Sequence, residues 1–278
     1  MSGRYVLACV SDTHCGSILG LCPPEGVEFD TGAKYLPSKA QSWQWEKWVD
    51  FWTRARAVAD HERAKLVTLY VGDLTDGDHH NTSQTISRNP EQQFYIAFRV
   101  VDHAKEIARP HRIYVVRGTE VHTGPESASE NALARLINAS RGETSQEWST
   151  WHLRLRVGGV LVDAQHHGRM GTRPWTRGSA LQTLGMQIYI ECCEAGDPIP
   201  DLAVRADRHQ YGYSGRDMGG VPVLQLPAWQ LKTAFAHRVA PESRAAVGGV
   251  LVRIAKGRVD SVEPILYRPT LPVIRELP

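Results

Sequence analysis

The chain has 278 residues, 42% of them hydrophobic and 22% charged, the balance of an ordinary soluble globular protein, and its formal charge of +2 is too small to argue for a nucleic-acid coat or an anionic membrane surface. No apolar run approaches the ~18 residues of a membrane span, and no basic-then-apolar signal opens the chain. The five cysteines are odd in number and form no Cys-x-x-Cys, which favours a reduced, cytoplasmic protein over a disulfide framework.

No Pro/Ser/Gly-rich linker divides the sequence, which predicts one domain over residues 1–278. The first element is the apolar run Val6-Leu7-Ala8-Cys9-Val10, which stops at Ser11-Asp12-Thr13-His14. It predicts a strand buried on both faces, with a carboxylate and an imidazole at its carboxyl end, where α/β folds place chemistry. Cys15 to Pro37 shows no periodicity and predicts a long loop. Ser38-x-x-Gln41 then predicts a capping box, and Trp45, Trp48, Val49, Trp52, Ala55 and Ala59 follow at helical spacing as a core-facing stripe, with Trp43 off it. Loop and Trp-rich helix together form an insertion at about residues 15–63.

The next strand, Lys65 to Val71, runs into Gly72-Asp73 and a polar loop that carries Asp76, Asp78, His79 and His80. Asn89 as N-cap and Pro90 at the first helical position open a helix that ends at Arg109-Pro110. A third strand, Ile113 to Val116, leads into Arg117-Gly118-Thr119-Glu120-Val121-His122, and Ser127-x-x-Glu130 begins a short helix with Leu133, Leu136 and Ile137 on one face. Alternation at Leu153, Leu155 and Val157, then Gly158-Gly159, then Val160 and Val162 predicts a hairpin that ends in His166-His167-Gly168. A helix over Pro174 to Glu194 and a strand over Leu202 to Val204, ending in Asp207-Arg208-His209, come next. The strands Val221 to Leu226, Val247 to Ile254 and Val259 to Tyr267 predict a second, mostly antiparallel sheet packed on the first.

Five strand ends thus deliver acid or imidazole in order: Asp-x-His, Gly-Asp, Gly-Thr-Glu-x-His, His-His-Gly and Asp-x-His. This ordered set resembles the calcineurin-like metallophosphoesterases, from residue 6 to residue 209 and through the second sheet to near the end. The resemblance implies an α/β fold of two stacked mixed sheets flanked by helices. It also implies hydrolysis of phosphate esters by a hydroxide bridging two divalent metal ions. The match is close at Asp12-Thr13-His14, Gly72-Asp73 and His167-Gly168.

Two motifs depart. Where the family has Gly-Asn-His, this chain has Gly118-Thr119-Glu120-Val121-His122, a variant that looks like that of phage- and prophage-encoded members. The resemblance then makes Glu120 the ligand in place of the asparagine and His122 the acid beside the substrate phosphate. Where the family has Gly-His-x-His, this chain has Ala206-Asp207-Arg208-His209. The implied arrangement is Asp12, His14, Asp73 and His209 on one ion and Asp73, Glu120, His167 and Asp207 on the other, with Asp73 bridging. His166 is placed behind His167 because adjacent strand residues point to opposite faces, and His79, His80, Arg117 and His166 are assigned to the substrate.

Four carboxylates against two dications leave a neutral first shell, and an oxygen-rich second position suits Mn²⁺ or Mg²⁺ better than Zn²⁺ or Fe. The expected partner is a phosphorylated substrate, by the phage-like resemblance a nucleic acid or nucleotide. A phosphoprotein or small-molecule phosphomonoester, or a binding role for a catalytically weak site, stands as the alternative.

Overall fold

The computed structural model describes residues 3–79, 82–141, 146–171, 173–216, 219–241 and 246–270. Strand β1 (Tyr5–Val10) is buried from Val6 onward, because layers cover both of its faces. Two short strands, β2 (Val27–Glu28) and β3 (Lys34–Tyr35), pair within the long loop, whose Cys15, Leu21 and Cys22 are packed into the core. Helix α1 (Lys39–His61) starts with the capping box of Ser38 and Gln41 and buries Trp48, Phe51, Trp52, Ala55 and Ala59. Strand β4 (Lys65–Val71), helix α2 (Pro90–Ala108) and strand β5 (Arg112–Val116) complete a parallel β-α-β unit, with Asn89 accepting from the Glu91 N–H at the start of α2.

After β5 come the single turn α3 (Glu120–Thr123) and helix α4 (Ala128–Leu136). The hairpin of β6 (Leu153–Val157) and β7 (Val160–His167) turns on Gly158 and Gly159, both at positive φ. Helix α5 (Arg177–Ala195) contains Gly185 for a steric reason: a β carbon there would lie 2.1 Å from the Val221 carbonyl oxygen. Strands β8 (Leu202–Ala206), β9 (Gly212–Tyr213) and β10 (Val223–Gln225), helix α6 (Ala234–Val239) and strands β11 (Val247–Ala255) and β12 (Arg258–Tyr267) finish the chain. No helix among the described residues is long and apolar enough to cross a membrane.

The strands form two mixed five-stranded sheets, ordered β12-β11-β1-β4-β5 and β6-β7-β8-β10-β9, so the class is α/β with two stacked sheets flanked by helices. One core lies between the first sheet and α1, α2 and α4; a second, of Val and Leu from both sheets, lies between the sheets. One expectation is corrected. The final hairpin does not belong to the second sheet, because β11 pairs antiparallel with β1. The second sheet is built instead from β6 to β10, with β7, β8 and β10 parallel.

The aromatic stripe of α1 is core. Trp48 and Trp52 are fully buried, Trp48 meets Trp229 edge-on at 4.9 Å, and its indole N–H donates to the Val100 carbonyl at 3.2 Å. Burial of one such ring contributes about 2–3 kcal/mol, and truncation to Ala would cost about 3–5 kcal/mol with the cavity included. This anchors α1 and α2 on the sheet, and with them the loops that leave β1 and β4.

Candidate metal centre

The loops after β1, β4, β5, β7 and β8 meet at one end of the sandwich. Their backbone is unusual: Asp12 (φ 52°), His14 (φ 43°), Asp73 (φ 54°), Asp207 (φ 72°) and His209 (φ 52°) all adopt the left-handed region. Each such residue costs about 1–2 kcal/mol and persists only where its surroundings fix it. Here the fixing bonds run between loops. The Asp12 N–H donates to the Gly72 carbonyl at 2.9 Å, and the His14 N–H donates to that of Asp73 at 3.1 Å. Gly72 and Gly118 permit the approach; a β carbon on Gly118 would sit 2.2 Å from Asp73 Oδ1.

Three donor atoms converge first. His14 Nε2 lies 3.2 Å from His209 Nε2, and Asp12 Oδ1 is 3.4 Å from His209 Nε2 and 4.0 Å from His14 Nε2. Asp12 is fully buried, and its Oδ1 has no hydrogen-bond donor. Ligands ~2.0–2.2 Å from one ion lie roughly 2.8–3.6 Å from each other, so two of these three separations match a shared cation, which would also satisfy the orphaned oxygen. The other ring nitrogen of His14 faces Asp76 Oδ1 at 3.1 Å, so the carboxylate fixes the imidazole with Nε2 turned inward.

Asp73 stands beside this group, with Asp12, Asp73 and His166 forming a second possible set of ligands and His166, His167 and Asp207 a third. Asp73 accepts at Oδ1 from the Thr119 N–H at 2.7 Å, and its Oδ2 is 3.0 Å from His166 Nε2 and 3.9 Å from His122 Nε2. His122 leans over the centre, with Nδ1 at 2.6 Å from the Asp76 carbonyl and its ring edge-on to His14 and His79 at 4.7 and 4.4 Å.

Charge follows geometry. Burial opposes ionisation of Asp73, but His166, His122 and His14 outweigh it and hold the carboxyl well below its usual range. Burial likewise works against the His166 imidazolium, yet the Asp73 carboxylate lifts it to about 10. Asp76 is drawn down to about 2 against its burial by hydrogen bonds with His14 and His79. His122 goes the other way: burial, with the positive charge of His14 behind it, pushes it down to about 4, so it is neutral at pH 7.

The structure brings His14, Asp73, His122, Asp207 and His209 to the wall of one cleft of ≈ 510 Å³, together with His79, and Asp12 is fully buried beside His14 and His209. It does not bring Glu120 there. Thr119 caps the turn α3 and aims its N–H at Asp73, so the next residue swings to solvent, where Glu120 Oε1 accepts from the Glu126 N–H at 3.0 Å. Of the two adjacent histidines, His166 is buried against Asp73 and His167 is exposed. Counting by twos from the inward-facing Val160, Val162 and Ala164 reaches His166, while His167 still offers a ring nitrogen within 4.8 Å of donors on His166 and Asp207. Arg117 is buried, but away from the centre; it donates to Ser149 at 3.1 Å, pairs with Glu147 and lies 5.5 Å over the Trp151 ring. His80 lies outside the described residues.

Glu130 is a buried carboxyl beside the centre to which no sequence motif assigns a role. Ser127 makes no side-chain cap, and there is no capping box. The buried carboxyl instead accepts from the Leu74 N–H at 3.2 Å and the Gly118 N–H at 2.5 Å, tying the Asp73 loop to the Thr119 loop. Burial and the nearby Asp73 charge raise it to about 8.

No family model and no curated protein sequence matches the chain. Solved structures resemble it, among them the following three. A novel archaeal phosphodiesterase is 10% identical, with 94% of this chain and 99% of that one covered and a TM-score of 0.43. The Thermus thermophilus sulfate thiohydrolase SoxB is 12% identical, with 96% and 57% covered and a TM-score of 0.45. Vacuolar protein sorting 29 of Cryptosporidium parvum is 12% identical, with 96% and 100% covered and a TM-score of 0.38. At such identities and scores the functional case rests on the site itself.

Proposed function

We propose that the chain is a metal-dependent phosphoesterase of the calcineurin-like metallophosphoesterase type, acting on a phosphate ester of a nucleotide or nucleic acid. The observation that carries this is the convergence of Asp12 Oδ1, His14 Nε2 and His209 Nε2 beside Asp73, with an orphaned buried oxygen at the meeting point. Asp12, His14, Asp73 and His209 would hold one divalent ion, and Asp73, His166, His167 and Asp207 offer the donors for the other. The pair, Mn²⁺ for preference with Mg²⁺, Zn²⁺ or Fe as alternatives, would supply charge to grip the phosphate and lower the pKa of water.

The protein supplies orientation and proton transfer. His122 Nδ1 faces a carbonyl, which only accepts, so that nitrogen carries the proton and Nε2 presents a lone pair to the cleft. His122 would take up a proton at Nε2 from solvent in the cleft and give it to the leaving oxygen, on the far side of phosphorus from the attacking water. Asp76 keeps both imidazoles in place, His14 through its carboxylate and His122 through its backbone carbonyl. His79, 3.7 Å from the Asp76 carboxylate, lines the mouth of the cleft, where it would meet the substrate.

The test is hydrolysis of a phosphomonoester, a phosphodiester and single- and double-stranded oligonucleotides by purified protein of measured metal content, with Mn²⁺, Mg²⁺, Zn²⁺ or EDTA. Turnover that needs metal is expected. A binding-subunit reading draws support from the outward Glu120, which leaves the second ion one carboxylate short. Less than one bound ion per chain and no turnover on any substrate would favour it.

A further inference from the structure

The opposite edge of the first sheet carries another kind of residue. Arg4 precedes β1, Lys65 opens β4, Arg112 opens β5, Arg258 opens β12 and Lys256 follows β11, and all five are exposed. The pairing register sets them side by side: Tyr5 lies across from Lys65 on one side and Ile254 on the other, and Ala255 faces Arg258. The Lys65 N–H donates to the Arg4 carbonyl at 2.9 Å, and the His111 N–H to that of Leu66 at 2.7 Å. Neighbouring strands are ~4.8 Å apart, so the cations form a row about 19 Å long across the sheet. Partial burial and the adjacent charges of Lys65 and Arg112 hold His111 below its ordinary value, as a crowded basic edge requires. Between Arg4, Lys256 and Arg258 lies a hollow of ≈ 620 Å³, where Glu62 is already paired with Arg253 at 3.2 Å and Asp260 is the other acid.

A second observation is independent of charge. Arg63 (φ 52°), Arg109 (φ 45°) and Lys256 (φ 53°) occupy left-handed positions on this edge. Arg63 follows the C-cap of α1, Arg109 caps α2, and Lys256 is the first residue of the two-residue turn Lys256-Gly257. Glycine or asparagine is the low-energy choice at each, and a long side chain there costs about 1 kcal/mol. Three cations are held where conformational preference argues against them.

We propose that this edge is a sequence-independent binding surface for the phosphodiester backbone of a nucleic acid, on the order of 20 Å along β1 from the metal centre. Long Arg and Lys side chains rooted one strand apart can spread to meet successive phosphates of a chain. A membrane is the competing occupant, and the vesicle arm of the test separates it from a nucleic acid. The surface would hold the polymer whatever ester the cleft cleaves.

The test uses the full chain in EDTA, with anisotropy of a labelled single strand of about 20 nucleotides followed across salt concentration. The variant is R63G/R109G/K256G, which removes three charges while relieving left-handed strain, so its melting temperature should be unchanged or higher. Tenfold or weaker binding at about 50 mM salt and a salt slope shallower by about 2 are expected, from three contacts at ~0.7 each. Equal binding by variant and wild type, no binding by either, or binding only to phosphatidylserine vesicles would overturn the proposal. With metal withdrawn no turnover enters the measurement, so this result and that of the hydrolysis assay stand or fall separately.

Discussion

The two edges of the first sheet use one backbone device for opposite purposes. At the carboxyl edge, left-handed backbone holds Asp12, His14 and Asp73, each at most 2% exposed and each tied to its neighbours. At the amino edge the same conformation holds Arg63, Arg109 and Lys256 out in solvent. The difference teaches where strain is recoverable. Buried groups with several partners are over-determined, so a substitution there loses interactions along with the strain; an exposed cation can be exchanged for glycine with a gain in stability. The carboxyl edge should therefore be fragile in chemistry and the amino edge robust in fold.

The sharpest test of the fragile edge is His122→Ala. A group that moves a proton at the reacting oxygen contributes typically ~10²–10⁴-fold to rate without being needed to bind an ion. Turnover should fall by that factor while bound metal, measured on the same preparation, stays at the wild-type level. Retained turnover would remove His122 from the chemistry.

Next comes pH. In metal-free protein the His166 pKa rises from an unfolded value of ~6.5 to about 10 in the fold, as burial is overcome by Asp73. A raised imidazole contributes stability that is fully present below pH ~6.5 and is lost as pH climbs toward 10. Denaturant unfolding of the metal-free chain should therefore lose a few kcal/mol across that window, at up to ~1.4 kcal/mol per pH unit while the group titrates. His166→Asn should flatten the slope. The amino-edge variant should leave it as it was, which separates the two edges directly.

A smaller effect is expected at Glu130. Both of its oxygens accept backbone N–H groups, whereas an amide of the same shape offers one acceptor and turns its NH₂ on the other donor. Glu130→Gln should loosen the Thr119 loop from Asp73 and weaken the second ion by ~10–100-fold in calorimetric titration, with the first ion less affected. Equal loss at both positions would make Glu130 a general packing residue instead.

How much of this was legible beforehand depends on the range of the interaction. Asp12, His14, Asp73 and His209 announce themselves because each directly follows an apolar strand, a local pattern. The placement of β11 was not legible, since its partner β1 lies more than 200 residues earlier and alternation does not name a partner. A signal was present: Val247 to Val252 is buried throughout, as a strand covered on both faces must be, and Gly249 leaves room where a β carbon would meet Phe51 Cζ at 2.5 Å. The short helix after Ser127 was legible, but the role of Glu130 was not, because its partners are two backbone amides of distant loops. The backbone of Arg63 and Arg109 leaves no trace in residue type, which is why the basic edge stays hidden in a chain of formal charge +2.

The smallest effect is expected at Glu120, which the resemblance put in place of the family's asparagine. Glu120 stands in the motif at the place of a ligand, and an oxygen donor there would make the second position hard and complete. The fold gives that place to the backbone. Because Thr119 begins a helical turn, its N–H points at Asp73, and Glu120, about 100° further round, points at the Glu126 N–H. Glu120→Ala removes one exposed acceptor, worth at most ~1 kcal/mol of stability, and should leave metal stoichiometry and metal-dependent turnover within about twofold of wild type. Asp207→Ala in parallel supplies the contrast, because Asp207 lies with His166 and His167 inside the cluster and its loss should empty the second position. A Glu120→Ala protein that loses its second ion would mean that metal binding unwinds the α3 turn and draws the side chain inward.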